Sequence, residues 1–573
     1  MIIELLMKKR GLLFIVPPSL PIEDLRVTDN DHKGFGYITS SIPMGVLSLS
    51  SYVRKHTDAN VLVLDMNTHI RDEMKTTDIW EDFFRKVLTE KTKNQKIDLI
   101  GISAIFNVCA GYMESITNIS KEVCNNPIVI AGGGLPSNLP EQVYDLAPEI
   151  DAIAYSEGEK PLVRLLKSED MIKDLEESNG WITKKSIEEK KKRPTMEFVQ
   201  TLDEIPPMSY DLIDFTKYKN LTRYHGEVTA KTITTSLMTS RGCPYMCNFC
   251  ASHTVHSRKM RFESPKRVIE TVRHLKSEHG VNVFCIEDDL FLVHRKRALA
   301  IFEELAKEDI TIEFPNGMSV HHMNDDVMID ALKAAGLKMA TLAVESGVER
   351  VLREVIRKPY TDLNIVRELV ERLRRKELYS RAFFVIGFPE ETLDEIKETI
   401  NFMKKTGFNW VIASIASPIA GSELYDECKK KGLIINDDLS SYSYGKSNIR
   451  LPYATPEEME RIRYEAVLEV NFVNNYDLNH GNPKQALIGF KGATDRIKNH
   501  ALGHYFSSLA YKKLGENNKS KQSMEKYNQI IKESHYWRQI AQRYNLPLNN
   551  LDTNFKHTKQ TDERFLSDGV VSS

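Results

Sequence analysis

Short apolar runs alternate with helical segments over the first 167 residues of the chain. Five such runs are separated by segments in which apolar residues recur every three or four positions. Because apolar strands separated by helices are typical of parallel sheets covered on both faces, we predict a doubly wound α/β domain over residues 1–167. The predicted strands are Leu12–Pro17, Asn60–Asp65, Ile97–Ala104, Pro127–Gly134 and Asp151–Glu159.

The carboxyl ends of these predicted strands carry small and polar residues. Sheets of this kind bind ligands in the crevice at the carboxyl ends of their strands. Glycines at such positions either allow a backbone to approach a ligand closely or simply form tight turns, and both interpretations are open. The candidate residues are Ser103, Gly132, Gly133, Gly134, Glu157 and Gly158.

A second alternation predicts six further strand–helix units over residues 231–432. Six units fit a partial or full barrel, in which reactive groups lie at the carboxyl ends of the strands. Residues 168–230 between the two alternations are weakly patterned, and we predict a solvated linker there rather than a nucleic-acid patch. The six predicted strands are Thr232–Ser240, Val281–Asp288, Thr311–Val320, Leu337–Glu345, Tyr379–Phe388 and Asn409–Ser417.

Residues 433–550 have a helical pattern with an internal repeat. Gly481-Asn482 and Gly515-Glu516 are 34 residues apart, and the helical face between them is apolar. A 34-residue period in a helical segment resembles tetratricopeptide packing, although a plain helical cap fits the pattern as well. The polar residues 551–573 are predicted to form a disordered tail.

The overall charge excludes some classes of partner. The 573 residues include 78 Lys and Arg and 80 Asp and Glu, a net charge of −2, so no overall basic field favours nucleic acid or anionic lipid. The longest apolar stretches fall short of the roughly 20 residues that a membrane span needs, and we expect no secretory signal. Seven cysteines, an odd number, indicate a reducing cytoplasm.

Three of the cysteines lie close together, directly after the first strand of the second alternation. Cys243, Cys247 and Cys250 span only eight residues. They are suited to a structural zinc site completed by His253 or His256, or to an iron–sulfur cluster with one open iron. The position at the mouth of a barrel favours the cluster, because structural zinc usually stabilises small domains that lack a core.

The segment around these cysteines, Ser240-Arg-Gly-Cys-Pro-Tyr-Met-Cys-Asn-Phe-Cys250, resembles the signature of radical S-adenosylmethionine (SAM) enzymes. Further segments that are similar to the family's motifs follow in order, so that the resemblance covers about residues 232–432. One departure is Glu390, which replaces a glycine of the family. The further segments are Ile286–Phe291, Ala343–Gly347, Gly387–Thr392 and Pro418–Ser422.

The resemblance implies a central radical SAM (β/α)6 partial barrel and a role for individual residues. The three cysteines would hold a [4Fe–4S] cluster whose fourth iron takes the amino and carboxylate groups of SAM. A surface carboxylate or a helix cap is the alternative for each acidic residue, and no catalytic residue is assigned. The implied SAM-binding residues are Asp288 and Asp289 for the ammonium, Glu345 for the ribose hydroxyls, and Phe249 with the backbone of Ile386 and Gly387 for adenine.

The first predicted domain resembles the Rossmann-like N-terminal domain of cobalamin-binding radical SAM proteins, which include methylases and the anaerobic porphyrin cyclase. The similar segments are Pro43-Met44-Gly45, Ala131–Pro136 and Glu157–Glu159. The resemblance implies cobalamin bound by the six strand-end residues named above. The Asp-x-His-x-x-Gly motif of other cobalamin proteins is absent, because Asp31-His32 lacks the intervening residue. The lower ligand of cobalt is therefore unassigned.

These resemblances imply a cytoplasmic enzyme that methylates an unactivated carbon by means of a 5′-deoxyadenosyl radical and methylcobalamin. The alternatives are a cyclase or C–C bond-forming enzyme without net methylation, a methylthiotransferase, and a non-catalytic helical-repeat interaction protein. We expect a small-molecule or lipid-like substrate and an electron donor such as ferredoxin or flavodoxin. A protein partner at the C-terminal helices is a further option, and no nucleic acid is expected.

Overall fold

The computed structural model describes residues 9–25, 41–218, 232–436 and 445–548. The predicted tail at 551–573 and the Asp31-His32 pair lie outside the described residues. None of the described helices is long and apolar enough to cross a membrane.

The N-terminal sheet confirms the α/β class predicted for this part of the chain. It has six strands in the order β2-β1-β3-β4-β5-β6, and the first five in the chain are parallel. Chain order reverses between β1 and β3, which is the point where such sheets open a ligand crevice. The strands are β1 Gly11–Val16, β2 Asn60–Asp65, β3 Leu99–Ser103, β4 Ile128–Gly132, β5 Ala152–Ala154 and β6 Trp181–Ile182.

Helices surround this sheet, and apolar residues on the sheet are fully buried beneath them. Each helix buries one apolar stripe, as the three-to-four-residue period predicts. The helices are α1 Ile22–Leu25, α2 Met44–His56, α3 Met66–Glu73, α4 Trp80–Thr92, α5 Met113–Val123, α6 Gly134–Asn138, α7 Pro140–Leu146, α8 Glu159–Lys167, α9 Met171–Glu177 and α10 Lys184–Glu188.

Part of the segment predicted as a linker, residues 168–230, belongs to the N-terminal sheet. Strand β6 pairs antiparallel with β5, so that Trp181 lies opposite Ala154. The buried Trp181 ring covers the edge of the sheet. A two-residue strand has no periodicity of its own, which is why the sequence pattern did not indicate it.

The central region contains six parallel strands that follow one another in chain order. They form two three-stranded sheets, β11-β10-β7 and β12-β13-β14, and isolated bridges from Ile312 to Leu337 and from Met318 to Leu342 connect them. Strands β8 and β9 form a separate antiparallel pair. The strands are β7 Thr234–Leu237, β8 Ser240–Arg241, β9 Arg261–Phe262, β10 Val283–Ile286, β11 Thr311–Glu313, β12 Met339–Glu345, β13 Tyr379–Ile386 and β14 Trp410–Ile415.

The helices of this region connect successive strands. The first long helix has a capped start: the Ser264 hydroxyl accepts from the amide of Arg267, and Pro265 occupies the first helical position. The helices are α11 Ser252–His256, α12 Pro265–His279, α13 Arg295–Leu305, α14 Asp326–Ala334, α15 Leu363–Arg375, α16 Leu393–Thr406 and α17 Glu423–Lys430.

The C-terminal region is helical and packs on the last strand of the central region. The Asn471 side chain accepts from the amide of Val411 and donates to its carbonyl oxygen, both at 2.8 Å. Gly481 and Gly515 have φ values of 84° and 76° and directly precede two helices. The helices are α18 Pro456–Leu468, α19 Tyr476–Asn479, α20 Pro483–Arg496, α21 Ala501–Lys513, α22 Asn517–Glu533 and α23 His535–Arg543.

Candidate active site

The three clustered cysteines lie on one loop that β8 and β9 close at its base. Gly242 precedes the first of them with φ 94°, and a Cβ at this position would lie 2.5 Å from the carbonyl oxygen of Lys259. On the far side, the amide of Asn248 donates to the carbonyl of Ile356 at 3.0 Å, and its carbonyl accepts from Leu424 at 2.9 Å. The loop is therefore fixed to two distant parts of the central region.

The thiols of this loop are half-buried close neighbours. The pKa of Cys243 is raised to about 11 and that of Cys247 to about 12, chiefly by burial and in smaller part by negative charge on the neighbouring thiols. Only a cationic centre would hold these groups as thiolates at neutral pH. Within the described ranges, no three His, Cys, Asp or Glu side chains are yet placed to share one metal ion, so ligation needs a local adjustment of the loop.

Two histidines, His253 and His256, were candidates for a fourth zinc ligand. The Nδ1 atom of His256 lies 2.8 Å from the carboxylate of Glu157, a contact that metal-bound histidines also make through their second ring nitrogen, so it does not exclude zinc. The sulfur donors of the loop itself are three thiols. Three thiols match a cluster that has one open iron.

Glu345, which the resemblance assigned to the ribose hydroxyls, is buried at the end of β12. A bulge between Ala343 and Glu345 interrupts the register of β12, and Glu345 has φ 73°. Its carboxylate accepts from Lys358 Nζ at 2.8 Å, and the same ammonium donates to the carbonyl of Ala343 at 2.8 Å. Burial lowers the pKa of Lys358, but Glu345 and Cys247 outweigh burial and raise it. Lys358, which the sequence analysis missed, thus links Glu345 to the cysteine loop.

The two aspartates at the end of β10 differ in environment. Asp288 is buried and accepts from the Thr239 amide at 2.6 Å and from the Thr239 and Ser240 hydroxyls at 2.8 and 2.5 Å. This carboxylate holds the strand end before the cysteine loop, and its predicted role toward an ammonium stays a prediction. Asp289 is exposed, and its carboxylate accepts a hydrogen bond from the Ser252 hydroxyl. Its negative charge raises the pKa of the Cys243 thiol, although burial of the thiol is the larger cause.

The backbone groups predicted to face adenine are already paired in part. The amide of Gly387 donates to the carboxylate of Glu391 at 2.7 Å, and the carbonyl of Ile386 accepts from Ala416 at 2.9 Å. The Phe249 ring lies 6.2 Å from that of Phe388. The structure therefore brings Phe249 to this strand end, but these two backbone groups serve the fold.

A cavity of about 1070 Å³ lies between the N-terminal sheet and the central strands, and we call it the central cavity. It is lined from the N-terminal side by all six residues predicted for cobalamin and from the other side by residues beside the cysteine loop. Of the other predicted site residues, only Cys250 and Asp289 reach it. The lining on the two sides includes Ser103, Gly132, Gly133, Gly134, Glu157 and Gly158, and Cys250 and Asp289.

Two of the strand-end glycines serve the packing of neighbouring loops. A Cβ on Gly133, which has φ 109°, would lie 2.6 Å from the carbonyl oxygen of Ala104, and one on Gly134 would lie 2.9 Å from that of Ile105. An added Cβ on Gly132 would make only ordinary contact, 3.5 Å from Ala154. Close packing of these loops therefore accounts for Gly133 and Gly134, and their contact with a ligand stays a prediction.

Glu157 forms a buried ion-pair network at the wall of the central cavity. Arg261 donates to its two carboxylate oxygens at 2.8 and 2.6 Å, and Arg241 lies 3.1 Å away. Burial raises the pKa of Glu157, but the hydrogen bonds from Arg261 and His256 outweigh this effect and hold it at about 2. Arg241 also donates to Glu159 at 2.7 Å. This carboxylate joins the N-terminal sheet to the cysteine loop, and the role predicted for Glu157 toward a ligand stays a prediction, since the residue also lines the central cavity.

Comparisons with known proteins agree with this geometry. The model of the radical SAM superfamily matches residues 237–403, and that of the B12 binding domain matches residues 39–166. The chain carries a radical SAM domain and a B12 binding domain. The predicted family and the predicted class of enzyme are confirmed.

The relatives of this radical SAM protein include methyltransferases and cyclases. An uncharacterized methyltransferase of Pyrococcus horikoshii is 28% identical over 75% of this chain and 88% of its own. The anaerobic magnesium-protoporphyrin IX monomethyl ester cyclase of Rubrivivax gelatinosus is 25% identical over 76% and 74%. The structure of OxsB, a cobalamin-dependent SAM radical enzyme, covers 93% of this chain and 81% of its own with a TM-score of 0.60; at 18% identity it shows a shared fold.

The central cavity of this radical SAM protein has room for a large ligand whose edge carries polar groups. Trp181 Nε1 and the Tyr210 hydroxyl are buried, and neither has a hydrogen-bond partner among the described residues. Both side chains line the central cavity. Buried polar atoms without partners are rare in folded proteins, so these two are suited to a ligand that supplies partners.

Proposed function

We propose that this protein is a cobalamin-dependent radical SAM methyltransferase that acts on an unactivated carbon. The supporting observation is that one cavity touches both the strand ends of the B12 binding domain and the cysteine loop, through Gly132 on one side and Cys250 on the other. When bound, the cluster with SAM supplies a carbon radical, and cobalamin supplies a methyl group. The protein's part is to orient these groups against each other and to exclude water.

In this proposal, residues of the cysteine loop and its neighbours hold the cluster and SAM. Cys243, Cys247 and Cys250 are the cluster ligands. Asp289 is the carboxylate best placed for an ammonium, since it is exposed beside these thiols. Glu345 accepts from ribose hydroxyls while Lys358 neutralises its charge, and Phe249 supplies an apolar face.

The B12 binding domain holds cobalamin at the end of its sheet where chain order reverses. Ser103, Gly132 and Gly158 present small groups to the central cavity, which allow a broad ring to approach the backbone. Gly133 and Gly134 keep the adjoining loops close together. We infer that the two three-stranded sheets act as one partial (β/α)6 barrel over residues 231–432 that faces this domain, and that the domain extends past residue 167 to include β6.

The partners follow from the same proposal. A small-molecule or lipid-like substrate suits the apolar lining of the central cavity, where Ile105 and Phe106 are exposed. Reduction of the cluster needs an electron donor such as ferredoxin or flavodoxin in a reducing cytoplasm. The C-terminal helices, which we infer to be tetratricopeptide-like, are a further candidate surface for a protein partner.

The products of SAM test the proposal. We expect the anaerobically reconstituted protein, loaded with cobalamin and reduced with dithionite, to form S-adenosylhomocysteine as well as 5′-deoxyadenosine. The first product reports use of SAM as a methyl source and the second reports radical formation. Formation of 5′-deoxyadenosine alone would favour a cyclase, the second candidate supported by the relative in Rubrivivax gelatinosus. Formation of neither would contradict both.

A further inference from the structure

Three polar side chains that line the central cavity have hydrogen-bonding atoms without partners. The Tyr210 hydroxyl and Arg267 Nε are buried and have no partner in the described part of the chain. The carboxyl group of Glu263 receives no hydrogen bond from a described residue. Neither the fold nor the proposed roles of other residues account for these groups.

All three side chains line the central cavity, and two of them lie at the start of α12. Glu263 lies between β9 and α12, and Arg267 is in the first turn of that helix. Burial raises the pKa of Tyr210, Glu263 raises it further, and Arg267 lowers it. Burial raises the pKa of Glu263 itself to about 7, against the opposing effect of Arg267. Each group therefore lies within electrostatic reach of the other two.

The set is complementary to an uncharged group that both accepts and donates hydrogen bonds. The phenol and the Arg267 guanidinium donate, and the Glu263 carboxyl accepts. Asp203 and Asp288 also act on Glu263, and Arg267 and Arg297 oppose them, so the subsite combines both signs of charge and suits a ligand group without a net charge. A primary carboxamide has the required acceptor and donors without a charge. The rim of a corrin ring carries several such carboxamides.

We propose that Tyr210, Glu263 and Arg267 form a subsite that holds one carboxamide of the corrin rim. This proposal rests on the proposed function, which places cobalamin in the central cavity. The carboxamide oxygen accepts from Tyr210 or Arg267, and its nitrogen donates to Glu263. The pairing satisfies polar atoms that the protein leaves unpaired, and leaving such atoms unpaired carries a free-energy cost.

The first test compares Tyr210→Phe with a matched control, Tyr144→Phe. Tyr144 is a buried tyrosine outside the lining of the central cavity, and its hydroxyl donates to the carbonyl of Ile182 at 2.9 Å. Hydroxocobalamin is titrated into each reconstituted full-length protein. We expect Tyr210→Phe to weaken binding about 5-fold without lowering the thermal midpoint of the apo protein, because its hydroxyl has no partner to lose. Tyr144→Phe should lower the midpoint and leave binding unchanged.

The second test uses cobalamin derivatives in which one rim carboxamide is hydrolysed to a carboxylate. For one of the positional isomers, we expect the wild type to bind about 10-fold more weakly than it binds hydroxocobalamin. Glu263→Gln should reduce this discrimination to about 2-fold, because it removes the repelling charge and keeps an acceptor. Its affinity for hydroxocobalamin itself should change by less than about 3-fold.

The outcomes separate this subsite from the proposed function. Normal binding of hydroxocobalamin by the wild type, with no loss in Tyr210→Phe, would overturn the subsite alone and assign these atoms to ordered water. Discrimination that persists in Glu263→Gln would also overturn it. No binding to the wild type at high micromolar concentration would overturn the cobalamin proposal and the subsite together.

Discussion

Glu157 and Arg261 are joined by two hydrogen bonds of 2.8 and 2.6 Å although they lie 104 residues apart in the chain. The first residue ends a loop of the N-terminal sheet, and the second lies on the strand that closes the cysteine loop. Both side chains are buried. The pair therefore holds the two walls of the central cavity at a fixed separation.

Loss of the Glu157 charge should destabilise the protein. Glu157→Gln leaves Arg261 without its buried counter-charge, whereas Arg241 keeps Glu159, and breaking a buried ion pair costs roughly 3 kcal/mol. The free energy of unfolding, measured with denaturant, checks this. The control is Glu141→Gln, which removes a surface pair with Arg193 and should cost less than about 1 kcal/mol. Equal effects of the two changes would contradict the structural role.

The Glu157 carboxylate should also make the free energy of unfolding depend on pH. Its pKa is held at about 2 in the folded protein and lies near 4.3 in an unfolded chain, so the unfolded state binds the proton first as the pH falls. The stabilisation is complete above about pH 5 and is lost progressively toward pH 2. Glu157→Gln should show a shallower loss of unfolding free energy between pH 5 and pH 3 than the wild type. Parallel pH curves would refute this assignment.

Glu345 and Lys358 should be energetically coupled. Either Glu345→Gln or Lys358→Met leaves the other charge buried beside the cysteine loop, whereas the double variant removes both charges. We expect the loss of stability in the double variant to be smaller than the sum of the two single losses by about 2 kcal/mol. Denaturant unfolding of the four proteins measures this difference. Additive losses would show that the pair is not formed.

The two aspartates at the end of β10 should respond differently to removal of charge. Asp289→Asn should weaken SAM binding about 10-fold and leave iron content normal, because a charged hydrogen bond to the ammonium is lost. Asp288→Asn should lower stability, since Asp288 supports Thr239 and Ser240 before the loop. Anaerobic calorimetry and thermal unfolding separate the two. A larger effect of Asp288→Asn on SAM affinity in a stable protein would support its predicted binding role.

Much of the strand order and the cysteine loop could be predicted from the sequence, because their signals are local. Strand β2, Asn60–Asp65, is a short apolar run, and helix α16, Leu393–Thr406, has a helical period and a capping residue. The three cysteines are close in sequence. Every strand end of the N-terminal sheet that was predicted to meet a ligand reaches the central cavity.

The long-range contacts of individual side chains could not be predicted from local sequence patterns. Glu157 meets Arg261 across the cavity wall, and neither residue has a pattern that indicates its partner. Glu345 turns inward at a bulge that no periodicity signals, and Lys358 follows it by 13 residues. Strand β6 is too short to have a period. These features depend on which distant segments meet, and only the tertiary structure determines that.

The joint iron and corrinoid content of the anaerobically reconstituted full-length chain tests the central claim most directly. Visible absorption and metal analysis should give about four irons and about one corrinoid per chain after hydroxocobalamin is added. Replacement of Cys243, Cys247 and Cys250 by Ala should abolish iron binding and spare corrinoid binding, whereas Cys124→Ala, outside the loop, should retain both. Stoichiometric zinc without iron, or no corrinoid at high micromolar concentration, would contradict the account.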